Sequence, residues 1–207
     1  MSARSLHFVI NPAKANSSRS QDLIQVSLMQ RYFIALIPPD DVQAYAIEVI
    51  RLLSDRYRTS TAKAPPHITL SPPFYWSPAD CDRLEAQLMQ FGQTHGEIPV
   101  QLSGFGAFAP RVLYLNVVRS PELLALQVDL TLALEETLGI DACKSRPFAP
   151  HVTVASRRMT RSIFRQAWAE LQPRCVEFSF TAGAIVLLAH DGQHWQIQRQ
   201  FPLQAQA

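Results

Sequence analysis

At 207 residues the chain has the length of one large domain, or of two small lobes around a cleft, and a string of independent domains is excluded. With 47% apolar and 17% charged residues it is no disordered chain, and a fold of this size buries roughly 70% of its unfolded surface with no need of disulfides or metal. The formal net charge of +2 singles out no partner by itself. The longest clean apolar run, Gly183 to Ala189, is far short of the about 20 residues of a membrane span. The patch Leu6, Phe8, Val9, Ile10 is too short for a signal-peptide core, so a cytoplasmic protein without a membrane partner is expected. Cys81, Cys143 and Cys175 are odd in number and widely spaced. They match neither a zinc pattern nor a disulfide framework and read as reduced side chains.

Asn11 to Gln21 is polar with no apolar period, and Met29 stands before the strand-like run Tyr32 to Ile37. Residues 1–29 are therefore expected to form a flexible extension and residues 30–207 a single bilobal domain. Asp40 to Tyr57 has helical periodicity, with Val42, Ala46, Val49, Ile50 and Leu53 on one face. Pro65 to Leu70 reads as extended. Ser77-Pro78-Ala79-Asp80 starts a helix running to about Gln93, with proline at its first position. Strands are expected near Ile98 to Phe105 and Val112 to Val118. Ser120-Pro121-Glu122 opens a helix that ends at Gly139, with Leu123, Leu126, Leu130 and Leu134 on one face. Ala149 to Val154 is again extended, and Thr160 caps a helix to about Leu171. Two strands, Val176 to Ala189 and Trp195 to Leu203, close the chain around a turn at Asp191-Gly192.

Helix, Pro-His-x-Thr strand, helix and strand pair thus occur twice. A duplicated unit of this kind predicts an α+β fold of two lobes, with largely antiparallel sheets, outer helices and a central cleft.

The charge follows the duplication. Arg56 to Ala79 contains no acid and carries Arg56, Arg58 and Lys63. Ala142 to Ala169 contains none either and carries Lys144, Arg146, Arg157, Arg158, Arg161 and Arg165. Each window surrounds one Pro-His-x-Thr motif. Arginine, which outnumbers lysine in the chain, presents a planar fork suited to phosphate.

In a strand, residues i and i+2 share a face. His67 and Thr69 therefore point one way, Ile68 and Leu70 the other, and His151-Val152-Thr153-Val154 repeats the layout. Two imidazoles and two hydroxyls around one volume suit phosphoryl transfer without metal. One neutral histidine takes a proton from the attacking oxygen, and the other, protonated, gives one to the leaving oxygen. The threonine hydroxyls donate to the non-bridging oxygens, where charge accumulates. Metal binding by His67 and His151 is the weaker option, since both windows lack carboxylates. His7, His95, His190 and His194 read as exposed or structural.

These residues resemble the 2H phosphoesterase superfamily, and more closely its RNA 2′,3′-cyclic phosphodiesterase / 2′-5′ RNA ligase family. The resemblance rests on Pro65-Pro66-His67-Ile68-Thr69-Leu70 with Pro73-Phe74, on Arg146-Pro147-Phe148-Ala149-Pro150-His151-Val152-Thr153-Val154, and on Arg31 to Leu36 as a first strand. It spans about residues 30–203. It implies hydrolysis of 2′,3′-cyclic phosphate ends of RNA or small nucleotides to a 2′-phosphomonoester, with no cofactor, and the reverse 2′-5′ ligation. By analogy His151 is the base and His67 the acid, with Thr69 and Thr153 on the phosphate. Better-known members place an arginine five residues after the second histidine. Here that position is Ser156, and Arg157 is the candidate phosphate ligand. Phe74, Tyr75, Arg146 and Phe148 are candidate substrate contacts, although packing of at least two of Phe74, Tyr75 and Trp76 at the lobe interface is the weightier reading, and Phe148 shares the ambiguity. The expected partners are RNA ends or small cyclic nucleotides, and no obligate protein partner is evident. The competing reading is a non-catalytic RNA- or nucleotide-binding module with the same cleft.

Overall fold

Gly183 divides what reads in sequence as one closing strand, Val176 to Ala189, into two that serve different lobes. The structure, a computed structural model, describes residues 29–141 and 147–204. The expected extension over residues 1–28 lies outside them, as does Arg146. The described elements run β1 (Gln30–Leu36), α1 (Asp40–Tyr57), β2 (Ile68–Trp76), α2 (Cys81–Thr94), β3 (Ile98–Phe108) and β4 (Val112–Val117). They continue with α3 (Pro121–Leu138), β5 (His151–Ala155), α4 (Arg161–Leu171), β6 (Glu177–Ala182), β7 (Ala184–His190) and β8 (Trp195–Pro202). A short turn of 3-10 helix, Pro78–Asp80, leads into α2.

The helix ends follow local chemistry. Ser120 Oγ accepts from the Leu123 amide at 3.1 Å, Pro121 occupies the first helical position, and Gly139 closes α3 at φ 66°. Thr160 Oγ1 accepts from the Ile163 amide at 3.2 Å and starts α4.

The described strands pair antiparallel in the order β6-β3-β4-β5-β2-β1-β7-β8. The order falls into two four-stranded halves, and among the described residues these meet between β5 and β2, through the pair Ile68↔Val152. The two lobes expected from the duplication are present, joined at this pair into one continuous curled sheet. They are not the two sequence repeats, however. The first repeat gives β1 and β2 to one lobe and β3 and β4 to the other, and the second gives β5 and β6 to one and β7 and β8 to the other. Gly183 is where the chain crosses: β6 pairs with β3, whereas β7 pairs with β1. A Cβ there would meet the Glu97 carboxylate at 2.9 Å.

β2 runs further than the Pro-His-x-Thr motif indicates, through Pro72 and Pro73 to Trp76. The prolines sit where the β1–β2 register shifts, between Tyr32↔Phe74 and Ile34↔Ser71, so the missing amides fall at an irregularity in the ladder.

Ile34, Leu36, Ile68, Leu70, Leu113, Leu115, Val152 and Val154 form the buried, helix-covered face of the sheet. Full burial of each such aliphatic side chain contributes about 1.5–3 kcal/mol. α1 packs Val42, Ala46, Val49 and Leu53 toward β5, while α3 packs Leu123, Leu126, Leu130 and Leu134 toward β2 and β3. Each helix therefore supports the motif strand of the other repeat. Glu170 of α4 ties the α1–α4 contact together, accepting from Tyr57 Oη at 2.9 Å and pairing with Arg56 and Arg174 at 2.8 Å each.

Candidate active site

The pair Ile68↔Val152 fixes what lies opposite what. In an antiparallel ladder the flanking residues pair in reverse order, so His67 faces Thr153 and Thr69 faces His151. The alternation expected from sequence holds. Ile68, Leu70, Val152 and Val154 are buried beneath the helices, and His67, Thr69, His151 and Thr153 are partly exposed on the other face. The four side chains form a square across the junction of the two lobes.

Both imidazoles are held in the same way. His67 Nδ1 lies 2.7 Å from the Pro65 carbonyl, and His151 Nδ1 lies 2.7 Å from the Ala149 carbonyl. A carbonyl oxygen only accepts, so Nδ1 carries the hydrogen in each ring and Nε2 is left for chemistry. The Pro-x-His and Ala-Pro-His segments supply those carbonyls two residues upstream, a local arrangement that each motif carries with it.

Aromatic rings fix the planes. Phe33 tilts against His67 with 4.8 Å between centroids. His151 is held between Phe108, edge-on at 5.0 Å, and Tyr114, tilted at 5.0 Å. Burial lowers the pKa of His67 below the ordinary histidine value; the Pro65 carbonyl opposes this, and repulsion from His151 adds to it. Burial lowers that of His151 too, against the pull of the Ala149 carbonyl. A proton on His151 therefore adds to the cost of one on His67, with burial the larger cause for both rings.

Two recesses open beside the square. A hollow of about 110 Å³ is lined by Ile50, Thr61, Ala64, His67, Thr153 and Ser156. It has room for only three or four waters, the scale of a phosphoryl group rather than a nucleoside. On the opposite side a groove of about 890 Å³ holds His151 and Thr69, and its apolar walls include Phe108, Val128, Leu132 and Phe148. Arg119 and Gln127 supply polar atoms there.

The two acid-free windows come together at this site. Ser60 and Arg157 form an isolated antiparallel bridge, with Arg157 N donating to Ser60 O at 2.8 Å and Ser60 N to Arg157 O at 3.2 Å. Arg157 is exposed and lines a depression of about 570 Å³ with Arg58, Lys63 and Arg158. That depression shares Thr61 with the His67 hollow. Arg111, Arg158 and Arg161 line a further depression that shares Ser156 with the hollow. Of the aromatic run, Phe74 turns inward to stack on Tyr32 at 6.3 Å, and Trp76 packs on the core while donating Nε1–H to the Asp80 carbonyl at 2.9 Å. Tyr75 is 63% exposed. Phe148 is half-buried at the groove wall.

Phe33, Phe108, Tyr114 and Arg119 escaped the sequence reading. The strict alternation of Val112–Val117 does place Tyr114 and Asn116 opposite the buried Leu113, Leu115 and Val117, which marks Tyr114 as a cleft-facing side chain. No group of three or more histidine, cysteine, aspartate or glutamate side chains that could hold a metal ion occurs among the described residues. No helix among them is long and apolar enough to cross a membrane.

The sequence profile of the 2′-5′ RNA ligase superfamily matches residues 38–194, and the chain belongs to this family of 2H phosphoesterases. A protein of Geobacillus kaustophilus strain HTA426 is 25% identical over 177 residues, covering 83% of this chain and 95% of its own length. One of Bacillus pumilus strain SAFR-032 is 28% identical over 132 residues, covering 61% of this chain and 70% of its own. Both bear the name "Putative phosphoesterase". Among solved structures, TT0787 of Thermus thermophilus matches with a TM-score of 0.63 at 20% identity, covering 86% of this chain and all of that one. Escherichia coli LigT complexed with 3′-AMP matches at 0.59 and 18%, covering 84% and 98%. At these identities the likeness shows the shared fold.

Proposed function

We propose that this chain is a cytoplasmic, metal-independent phosphodiesterase that opens 2′,3′-cyclic phosphate ends of RNA or small nucleotides to 2′-phosphomonoesters. The observation that carries the reading is the square of His67, Thr153, Thr69 and His151 set by Ile68↔Val152, with both Nδ1 atoms tied to carbonyls and both Nε2 atoms free. Membership of the 2′-5′ RNA ligase superfamily agrees with it, as does a shared fold with LigT, which has been crystallised with 3′-AMP, NADP+ and ATP.

In the proposed reaction His151 Nε2 removes a proton from water, whose oxygen forms the new bond to phosphorus. The bond to O3′ breaks, and His67, protonated at Nε2, gives its proton to that oxygen, leaving the phosphate on O2′. Thr69 and Thr153 donate to the non-bridging oxygens. The acid role is given to His67 by analogy with the family; burial and repulsion from His151, diagonal to it in the square, loosen any proton it carries. The anionic cyclic phosphate offsets that loosening while it lies between the rings, so one proton is retained until O3′ needs it. A 5′-hydroxyl in place of water gives a 2′-5′ linkage by the same two proton transfers. Arg157 adds positive charge from the rim, and Tyr75 and Phe148 are the side chains presented to the substrate's bases.

The test is a panel of 2′,3′-cyclic nucleotides and cyclic-phosphate-ended oligonucleotides, with products read by phosphorus NMR in EDTA. A 2′-phosphomonoester is expected, and His67→Ala and His151→Ala should each lose about 10²-fold or more in rate while keeping the melting temperature. A 3′-phosphomonoester, turnover only with an added divalent ion, or binding without turnover would overturn the proposal.

A further inference from the structure

On the cleft face of the lobe that carries His67, a line of rings leads away from the histidine. Phe33 touches His67 at 4.8 Å and meets Trp195 edge-on at 4.6 Å. The Arg31 guanidinium lies 5.3 Å from the Trp195 ring centre and 6.0 Å from that of Tyr75. Arg31 and Tyr75 are direct partners in the β1–β2 register and so share a face. Arg31 and Phe33 are two residues apart on β1, a step of roughly 6.8 Å.

This line lies outside the catalytic square and outside the basic rim around Arg157. Its cation forms no ion pair with a carboxylate among the described residues. Asp191, at the nearby β7–β8 turn, is occupied by the Gln193 and His194 amides and the Gln196 side chain. Tyr75 leaves most of its surface to solvent. A ring presented beside an arginine, two residues along β1 from the Phe33 that packs on His67, is a stacking platform with its own phosphate ligand.

We infer that Arg31, Tyr75 and Trp195 form a second-nucleotide subsite that binds the residue on the 5′ side of the cyclic-phosphate end, with Arg31 on the connecting phosphodiester and Tyr75 under the base. The inference rests on the proposed activity at His67 and His151 and narrows its substrate class to oligonucleotide ends. Trp195 is mostly buried and holds the Arg31 guanidinium in place. A free mononucleotide occupies the catalytic square and leaves this subsite empty.

The experiment compares a dinucleotide and a mononucleotide, each as the 2′,3′-cyclic phosphate in turnover and as the 2′-phosphate in calorimetric binding. The proteins are the wild type, Arg31→Ala, Tyr75→Ala and, as the rim control, Arg157→Ala. The dinucleotide is expected to bind at least about ten-fold more tightly and to have a correspondingly lower KM. Arg31→Ala should erase that preference and leave mononucleotide turnover and melting temperature unchanged, and Tyr75→Ala should weaken dinucleotide binding. Equal affinities for the two 2′-phosphates in the wild type would overturn the subsite, and so would a preference removed by Arg157→Ala and kept by Arg31→Ala. A binding preference lost in Arg31→Ala, with no turnover of either cyclic phosphate, would retain the subsite and overturn the proposed activity.

Discussion

His67 stands opposite Thr153, so the histidine of one motif shares its hollow with the threonine of the other. A phosphate bound there takes donors from both lobes. Thr69→Val and Thr153→Val keep the side-chain shape and delete the hydroxyl. Each should lower kcat by about 10²-fold, with Ser at the same position restoring most of it. Steady-state kinetics on a cyclic mononucleotide decide the matter; valine variants as fast as wild type would remove the threonines from the chemistry.

The histidine pair sets a pH dependence of known sign. Both pKa values are depressed in the folded state, so the unfolded chain binds protons that the folded one refuses. The stabilisation from this pair is complete above the ordinary histidine value of about 6.5 and is lost as pH falls from there through the folded values. Urea midpoints measured from about pH 8 to 5 should fall, and the fall should be shallower in the His67→Asn/His151→Asn double variant. An unchanged acid slope in that variant would place its origin elsewhere. In turnover, the acidic limb of kcat/KM should lie below the ordinary histidine value.

Gly106 pairs with Tyr114, and a Cβ at that position would lie 2.1 Å from Tyr114 Cε2. The far end of the ring can swing, so Gly106→Ala should cost little stability, but that ring is one of the two holding His151. Activity should drop several-fold while the melting temperature shifts by only a few degrees. The His151 imidazole resonances should move. Wild-type kinetics with unmoved resonances would show that Tyr114 does not position the histidine.

Gly92 offers the contrast. A Cβ there would come within 2.3 Å of the Pro202 carbonyl, which is backbone, and Gln204 N already donates to Gly92 O at 2.8 Å. Gly92→Ala should therefore force α2 from the end of β8 and destabilise by about 1–3 kcal/mol, seen as a lower denaturation midpoint. Turnover per folded molecule should remain, since the square is far from this contact in the sheet order. An undiminished midpoint would mean that the helix end adjusts freely.

The helices and both motif strands were legible because their signals are local. Val42, Ala46, Val49 and Leu53 recur at helical spacing, Ser120 and Thr160 cap, and His67 and Thr69 alternate with buried Ile68 and Leu70. The division at Gly183 was not legible, since a lone glycine in an apolar run looks the same whether it weakens one strand or separates two. The pairing of β1 with β7, and hence the lobe composition, depends on contacts that no local pattern encodes. Within the site, the histidines and threonines stand out as a repeated motif. The rings that hold them come from strands distant in sequence: Phe33 and Phe108 pass for ordinary core, and Tyr114, although its alternation turns it from the core, carries no sign of what it touches.

The exchange of strand pairs between repeats bears on how the chain emerges during synthesis. When the first repeat has been made, β1 lacks β7, β3 lacks β6, and both β2 and β4 lack β5, so all four strands carry an open edge. Gln30 and His190, which end up hydrogen-bonded, are 160 residues apart. A chain stalled or cut before His151 would thus present unpaired, partly apolar edges to its neighbours, the surface on which strands of other chains add. Completion of the second repeat closes all four edges, and until then a chaperone is the natural occupant of that surface.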